Sequence, residues 1–255
     1  MPVTWAVLSH PGLRRPSNED SYCARPELGL FVVADGMGGH VAGEVASRVA
    51  VEAIVGFVAE TGEADANRTW PFPMDPRTSV NAHRLTCAFR LANRRIADEM
   101  AKTETLRGMA TTASAVLVSD HRASVAHVGD SRVYRLRGGR LEQMTRDHSW
   151  VEEQVRAGAM TANDARRHPW RNVVTRALSG GEDPEVDVLD TALEPGDRWL
   201  LCSDGLFGVV TDERIEEILA SGDPLQTLCQ RLVDEANQAG GPDNITALLL
   251  EVDAQ

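Results

Sequence analysis

The sequence predicts an α+β domain in which antiparallel sheets are covered by helices. Strand-like apolar runs come in hairpin-like groups, and helical stripes come in pairs. A simple alternation of strand and helix, the mark of a parallel sheet, does not account for that order. The 255 residues show no internal repeat and no low-complexity linker, and a chain of this length supports one good core. A single domain spanning residues 1–255 is therefore expected.

Each element is read from its periodicity. Residues 30–34, LFVVA, form a short buried run that ends at Asp35, the pattern of an interior strand. Over 43–60, Val45, Val49, Ala53 and Phe57 recur every fourth residue, and Ile54 and Val58 widen the stripe, so a helix is expected. Residues 62–80 break the pattern with Trp70-Pro71-Phe72-Pro73 and Pro76, the signature of a loop or insertion. Its Trp70 and Phe72 are expected to fold back as a local cap. A second helix follows over 82–101, striped by Leu85, Phe89, Ala92 and Ile96.

Residues 112–119 and 122–128 read as paired strands around Ser119-Asp120-His121. Residues 132–137 and 140–144 form a hairpin with Gly138-Gly139 at its turn. The polar stretch 148–170 reads as short helices and loop. A strand over 197–202 runs into Asp204, helices cover 212–220 and 224–238, and ITALLLEV at 245–252 is a last apolar strand. Leu225, Leu228, Leu232 and Ala236 stripe the second of those helices.

Composition narrows the function. Asp and Glu outnumber Lys and Arg by 38 to 26, a net charge of −12. Such a field disfavours nucleic acid and anionic membranes as partners and suits a site that concentrates cations. No run approaches the roughly 18–20 apolar residues that cross a bilayer, and the first residues carry no basic leader or cleavage pattern. Cys23, Cys87, Cys202 and Cys229 lack metal-ligand spacing. Cys202, in a strand-like run, and Cys229, in a helix-like run, read as small core residues, and a reducing, cytoplasmic setting fits all four.

The chemistry gathers at carboxylates beside turn residues. Asp35 stands in VVADGMGGH, Asp204 in LLCSDGLFG and Asp243 in GPDNIT. A carboxylate at a strand end next to glycine suits a hard divalent cation. Three glycines after Asp35 let backbone approach an ion and expose a carbonyl, that of Gly36. The segment lacks the Lys-Ser/Thr ending of a P-loop and the spacing of GxGxxG. RRPSNED sets Arg15 four residues before Glu19, with Asp20 next. In an extended segment Glu19 and Asp20 point to opposite sides, so one faces the centre while the other braces the scaffold. Arg15 offers a planar fork suited to phosphate oxygens. GDSR adds Asp130 after a strand, a candidate ligand for a further, more exposed ion. His127 reads as an interior histidine. No serine-hydrolase elbow is present, and oxygen donors favour magnesium or manganese over zinc.

The ordered set Arg15-x-x-x-Glu19-Asp20, Asp35-Gly36-Met37-Gly38-Gly39-His40, Gly129-Asp130-Ser131-Arg132, Ser203-Asp204-Gly205 and Asp243-Asn244-Ile245-Thr246 resembles the metal-dependent protein phosphatases of the PP2C type. The bacterial serine/threonine members are the nearest match, and the likeness runs from about residue 5 to about residue 252.

The resemblance implies a four-layer α/β/β/α sandwich around two central antiparallel sheets. It implies hydrolysis of phosphoserine and phosphothreonine in proteins by a metal-activated bridging hydroxide, with Mn²⁺ or Mg²⁺. Asp35 would bridge two core ions, the Gly36 carbonyl would complete the first, and Asp204 and Asp243 the second. Glu19 would act through bound water. Asp130 with Asp204 would hold a third, weaker ion, and Arg15 would grip the phosphate. The leaving oxygen would take its proton either from His40 or from a water on the third ion. Residues 147–178 resemble a mobile flap that shapes the substrate groove. The expected partners are phosphorylated proteins, above all a serine/threonine kinase and its substrates. Ala110-Thr111-Thr112 departs from the family's Gly-Thr-Thr and removes no ligand. Two rival readings are a catalytically silent regulatory or binding module on the same fold and a metal-dependent hydrolase of a small phosphate ester or of a different phosphoprotein residue.

Overall fold

The computed structural model describes residues 2–38, 41–62 and 69–253. Eleven strands are seen among them: β1 (Val3–His10), β2 (Asp20–Arg25), β3 (Leu30–Met37), β4 (Ala110–Thr111), β5 (Ala113–Ser119), β6 (Arg122–Val128), β7 (Arg132–Arg137), β8 (Arg140–Gln143), β9 (Asp187–Ala192), β10 (Arg198–Cys202) and β11 (Ile245–Val252). The α-helices are α1 (Val41–Thr61), α2 (Val80–Lys102), α3 (Trp150–Arg156), α4 (Ala162–Arg167), α5 (Asp204–Phe207), α6 (Asp212–Ala220) and α7 (Leu225–Gln238).

Every strand pairing is antiparallel. One sheet has the order β1-β11-β10-β7-β8, the other β2-β3-β5-β6-β9, with β4 added beside β3. The four-layer arrangement follows from alternation along the central strands. In β3, Leu30, Val32 and Ala34 face α1 and α2, while Phe31 and Val33 enter the space between the sheets. In β11, Ala247 and Leu249 face α6 and α7, while Leu248 and Leu250 point inward. Both faces of these strands are buried, which is why LFVVA and ITALLLEV are unbroken apolar runs rather than alternating ones.

The expected helices form, with one shift. Around α1 the fully buried residues are Ala46, Ala50, Ile54 and Val58, flanked by the buried Val49 and Ala53. Val45 and Phe57 lie at its margin. The small alanines let α1 lie close against both β3 and α2, so the stripe of large residues is not its centre. In α2 the stripe is as expected, and Ser79 caps it by accepting from Ala82 N at 3.0 Å, satisfying an otherwise orphaned donor. Trp70 packs against Phe57 and His83 at centroid distances of 6.4 and 5.0 Å. Phe72 is buried under Arg94, whose guanidinium lies 4.4 Å from the ring centroid, so both aromatics do fold back.

Four strands go beyond the sequence reading: β1, β2, β9 and the two-residue β4. The first three each lie at a sheet edge, and β4 pairs with the end of β3. Residues 147–178 form a lobe on the end of the sandwich. Its ends are tied together where Thr175 N donates to His148 O at 2.8 Å and Trp150 N to Val173 O at 2.8 Å.

Candidate active site

The predicted acids converge on the ends of the central strands of both sheets. Asp20 opens β2 and pairs in register with Asp35 on β3. Asp204 follows β10 as the first residue of α5, and Asp243 precedes β11. Asp130 follows β6. Arg15, Glu19, Asp35, Gly36, Asp130, Asp204 and Asp243 all line one cleft of about 420 Å³. The structure describes neither Gly39 nor His40, so the proton-donor role expected of His40 lies outside the described residues.

Local backbone packing explains the glycines. A Cβ on Gly36 would lie 2.1 Å from Gly43 O and 2.7 Å from Glu19 O, so only glycine lets β3 pass that close to the start of α1. A Cβ on Gly205 would lie 2.0 Å from Asn244 O. That contact presses the Asp204 turn against the Asp243 turn. Gly129 has φ of 111° and abuts Thr112. Asp35 itself is held by its backbone: its N donates to Thr112 Oγ1 at 3.1 Å, and its carbonyl accepts from Thr111 Oγ1 at 2.8 Å and Thr112 N at 2.9 Å. The Ala110 departure leaves this intact, since the contacts come from the two threonines.

The Glu19-Asp20 pair divides as extended backbone requires. Glu19 packs over Gly43, where an added Cβ would meet its Oε2 at 1.9 Å, and it lines the cleft. Asp20 is buried and accepts from Ser203 Oγ at 2.7 Å and Thr246 Oγ1 at 2.6 Å through Oδ2. Its Oδ1 is buried with no hydrogen-bond partner. Asp20 thus belongs electrostatically to the cluster as well as to the scaffold. The SDG and DNIT motifs carried the signal for this, since their Ser203 and Thr246 are its donors.

Asn244 fastens the N-terminal arm to the site. Its Oδ1 accepts from Glu19 N at 2.8 Å, and its Nδ2 donates to Pro11 O at 3.0 Å and Ser17 O at 2.8 Å. Arg15 stands half-exposed at the mouth and donates to Asp243 Oδ2 at 2.7 Å.

The site is electrostatically loaded. Burial holds the carboxyl of Asp35 well above the usual range, and Asp20, Asp204, Asp130 and Asp243 push it in the same direction. Asp20 is raised by burial against the pull of its two hydroxyl donors. Burial and then Asp243 raise Asp204, while a hydrogen bond with Asp35 works the other way. Asp130 is raised by burial and then by Asp204. Among the described residues no three Cys, His, Asp or Glu side chains form a ready ligand cluster.

A hard divalent cation fits this donor set: oxygen atoms only, several carboxylates with raised proton affinity, and the unpartnered Asp20 Oδ1. His127 is buried, as expected, between Ser114 Oγ at 2.9 Å and Arg146 O at 3.0 Å. Burial and then His148 lower its pKa to about 4.

Two central antiparallel sheets under paired helices, with acids gathered at the strand ends, define the class of the phosphatase-like sandwich. The chain belongs to the protein phosphatase 2C family, which matches residues 16–249. It is 38% identical over 251 residues to the serine/threonine protein phosphatase PstP of Mycobacterium tuberculosis, covering 98% of this chain and 45% of that protein. The chain thus spans under half of PstP. It is 34% identical to the protein phosphatase PhpP of Streptococcus pneumoniae, with 98% of each covered. The crystal structure of PstP from M. tuberculosis superposes with a TM-score of 0.86 at 36% identity, covering 99% of both chains. A PstP catalytic domain in complex with two manganese ions gives a TM-score of 0.85 at 35% identity, again over 99% of both chains.

Proposed function

We propose that the chain is a metal-dependent protein phosphatase that hydrolyses phosphoserine and phosphothreonine in proteins, as one catalytic domain. The observation that carries this is the convergence of Asp35, Asp130, Asp204 and Asp243 with Arg15 in one cleft. The manganese complex of the PstP domain supports the metal.

Glu19, Asp35, the Gly36 carbonyl, Asp204 and Asp243 would hold two core Mn²⁺ or Mg²⁺ ions, and Asp130 with Asp204 a third, weaker one. Bound there, the ions would supply a water-derived nucleophile near neutral pH and offset charge on the phosphoryl group. The protein's own part is positioning. Arg15 at the mouth presents its fork to phosphate oxygens and holds Asp243 in place. Asn244 keeps Arg15 and Glu19 on a fixed arm. Asp20 contributes a fixed acceptor beneath the cluster. His40 is retained as the candidate donor to the leaving oxygen.

The partners proposed are phosphorylated proteins, chiefly a serine/threonine kinase and its substrates. Nucleic acid and membranes are left out of that set. Among the described residues no helix is long and apolar enough to cross a membrane. The four cysteines are free, three of them buried, which supports a cytoplasmic setting.

Phosphate release from a phosphothreonine peptide tests the reading. It is expected to require Mn²⁺ and to fall by a factor of about 10³ or more in Asp35→Asn and Asp204→Asn. Phosphotyrosine and phosphohistidine peptides assayed alongside should be turned over far more slowly. Undiminished release by both variants would remove the assigned centre.

A further inference from the structure

The lobe beside the cleft carries a charge opposite to that of the chain. Residues 147–178 hold five arginines against four acids, a net charge of +1 in a molecule whose net charge is −12, and the arginines are grouped in 156–176, where the one acid is Asp164. Two of these arginines are engaged. Arg166 lies 3.6 Å from Asp212, and Arg176 lies 3.1 Å from Glu185 and 3.3 Å from Asp187. Arg156, Arg167 and Arg171 are exposed and make no ion pair among the described residues. In so acidic a chain, free cations grouped on one short lobe are available to an anion from outside.

An aromatic cluster stands among them. Trp150 packs against His168 and Trp170 at centroid distances of 4.9 and 4.8 Å. Trp170 is nevertheless 55% exposed, and neighbouring Val173 44% exposed. The backbone fixes the cluster: Trp170 N donates to His168 Nδ1 at 3.1 Å, and Val173 N to Trp170 O at 3.0 Å. A large aromatic with an open face beside arginine is the composition of a protein-binding anchor.

The patch adjoins the chemistry. Asn172 and Val174 line the acidic cleft together with Asp35 and Asp204. Arg171 and Asn172 also line a second cleft of about 350 Å³ that runs from Asp130 and Asp204 to α6. A polypeptide whose phosphorylated residue enters the first cleft therefore has this lobe next to it.

We propose that the face formed by Trp170, Arg167 and Arg171 docks an acidic segment of the protein substrate adjacent to the phosphorylated residue. Its carboxylates meet the two free arginines, and its backbone and apolar atoms cover the open face of Trp170. Outside residues 156–176 the chain carries 37 acids against 21 lysines and arginines, so its net field opposes the same segment and the attraction is local. The proposal rests on the phosphatase reading above.

The test uses the Mn²⁺-loaded protein and matched phosphothreonine peptides. One carries three aspartates before the phosphorylated residue, one carries them after it, and one has asparagines throughout. p-Nitrophenyl phosphate serves as a substrate with no flanks. One acidic peptide is expected to exceed the neutral one about tenfold in kcat/KM, through KM, with the gap closing as salt rises from roughly 50 to 500 mM. Arg167→Glu/Arg171→Glu should abolish the preference, and Trp170→Ala should weaken binding of the acidic peptide. Both variants should leave aryl phosphate turnover at the wild-type rate.

Equal kcat/KM for all three peptides overturns the docking inference, as does a preference that survives the double reversal. An oligonucleotide of the same charge that competes as well as an unphosphorylated acidic peptide also overturns it, in favour of a general anion surface. If aryl phosphate is hydrolysed while the peptides are alike, only the docking inference falls. If neither aryl phosphate nor peptide is hydrolysed, the phosphatase reading falls and takes this one with it.

Discussion

Asp35 is the residue on which the electrostatics of the site turn. Its folded-state carboxyl is raised by burial first and by four neighbouring aspartates after that. A carboxyl raised on folding favours the folded state below its unfolded pKa, and that advantage is lost as pH rises through the folded value. At pH 7.5 the metal-free protein therefore carries a penalty that Asp35→Asn removes. The variant should unfold about 2–4 °C higher than wild type without metal, the equivalent of about 1 kcal/mol in a chain of this size. It should also lose most of the Tm increase that Mn²⁺ gives the wild type. Differential scanning fluorimetry with and without Mn²⁺ measures both. A second residue prediction concerns Gly205. A Cβ there meets Asn244 O at 2.0 Å, and the obstacle is backbone, so Gly205→Ala must part the two acidic turns. A loss of about 1–3 kcal/mol in urea unfolding is expected, together with a large fall in phosphatase activity.

At the scale of elements, Arg132 joins the lobe to the strands. It begins β7, and its guanidinium makes a forked contact with Asp147 through Nε at 2.9 Å and Nη2 at 2.8 Å. It also lies 3.8 Å from the centroid of Phe207 in α5 and donates to Tyr134 Oη, which in turn donates to Asp212 at the start of α6. One side chain thus fixes the entry to the lobe, the helix that carries Asp204, and the start of α6. Lysine keeps the charge but neither the fork nor the flat face. Arg132→Lys should lower stability by about 1–3 kcal/mol. It should also raise KM for peptides more than KM for aryl phosphate, because only peptides reach the lobe. Steady-state kinetics on both substrates checks this.

The edge strands show what periodicity could not reveal. In β1, β2 and β9, VTWAVLSH, DSYCAR and DVLDTA, most residues are partly exposed. An edge strand is paired along one side and covered incompletely, so polar residues break its alternation and the apolar signal fades. Central strands β3, β10 and β11 are covered on both faces and were plain. Edge strand β8 was legible as well, because Gly138-Gly139 marks its hairpin.

For the whole molecule, stability and metal binding should be linked through protons. The raised carboxyls of Asp20, Asp35, Asp130 and Asp204 make the metal-free fold lose stability as pH rises from the unfolded value near 4 through the folded values. The buried, neutral His127, with a pKa of about 4, acts oppositely: its contribution is present above about 6.5 and lost as pH falls towards 4. Cations compete with the protons on the carboxylates. The Tm increase given by a fixed Mn²⁺ concentration should therefore be larger at pH 7.5 than at pH 5. An equal increase at both pH values would show that the carboxylates are not the ligands.

The sequence by itself determined the central strands, the long helices, and the identity of nearly every acid in the cleft. These are local signals: alternation, four-residue stripes, and aspartate beside glycine at a strand end. Tertiary structure decided which acids meet. Asp20 joined the cluster because Ser203 and Thr246, some 180 and 226 residues further along the chain, hold it there, and Asn244 ties the arm of Arg15 to the start of β11. It also decided that the lobe's arginines stand beside the cleft, since a charge count along the chain carries no direction until the backbone folds. Periodicity reports what one element buries, whereas a site is made where the ends of distant elements are brought within hydrogen-bond reach of one another.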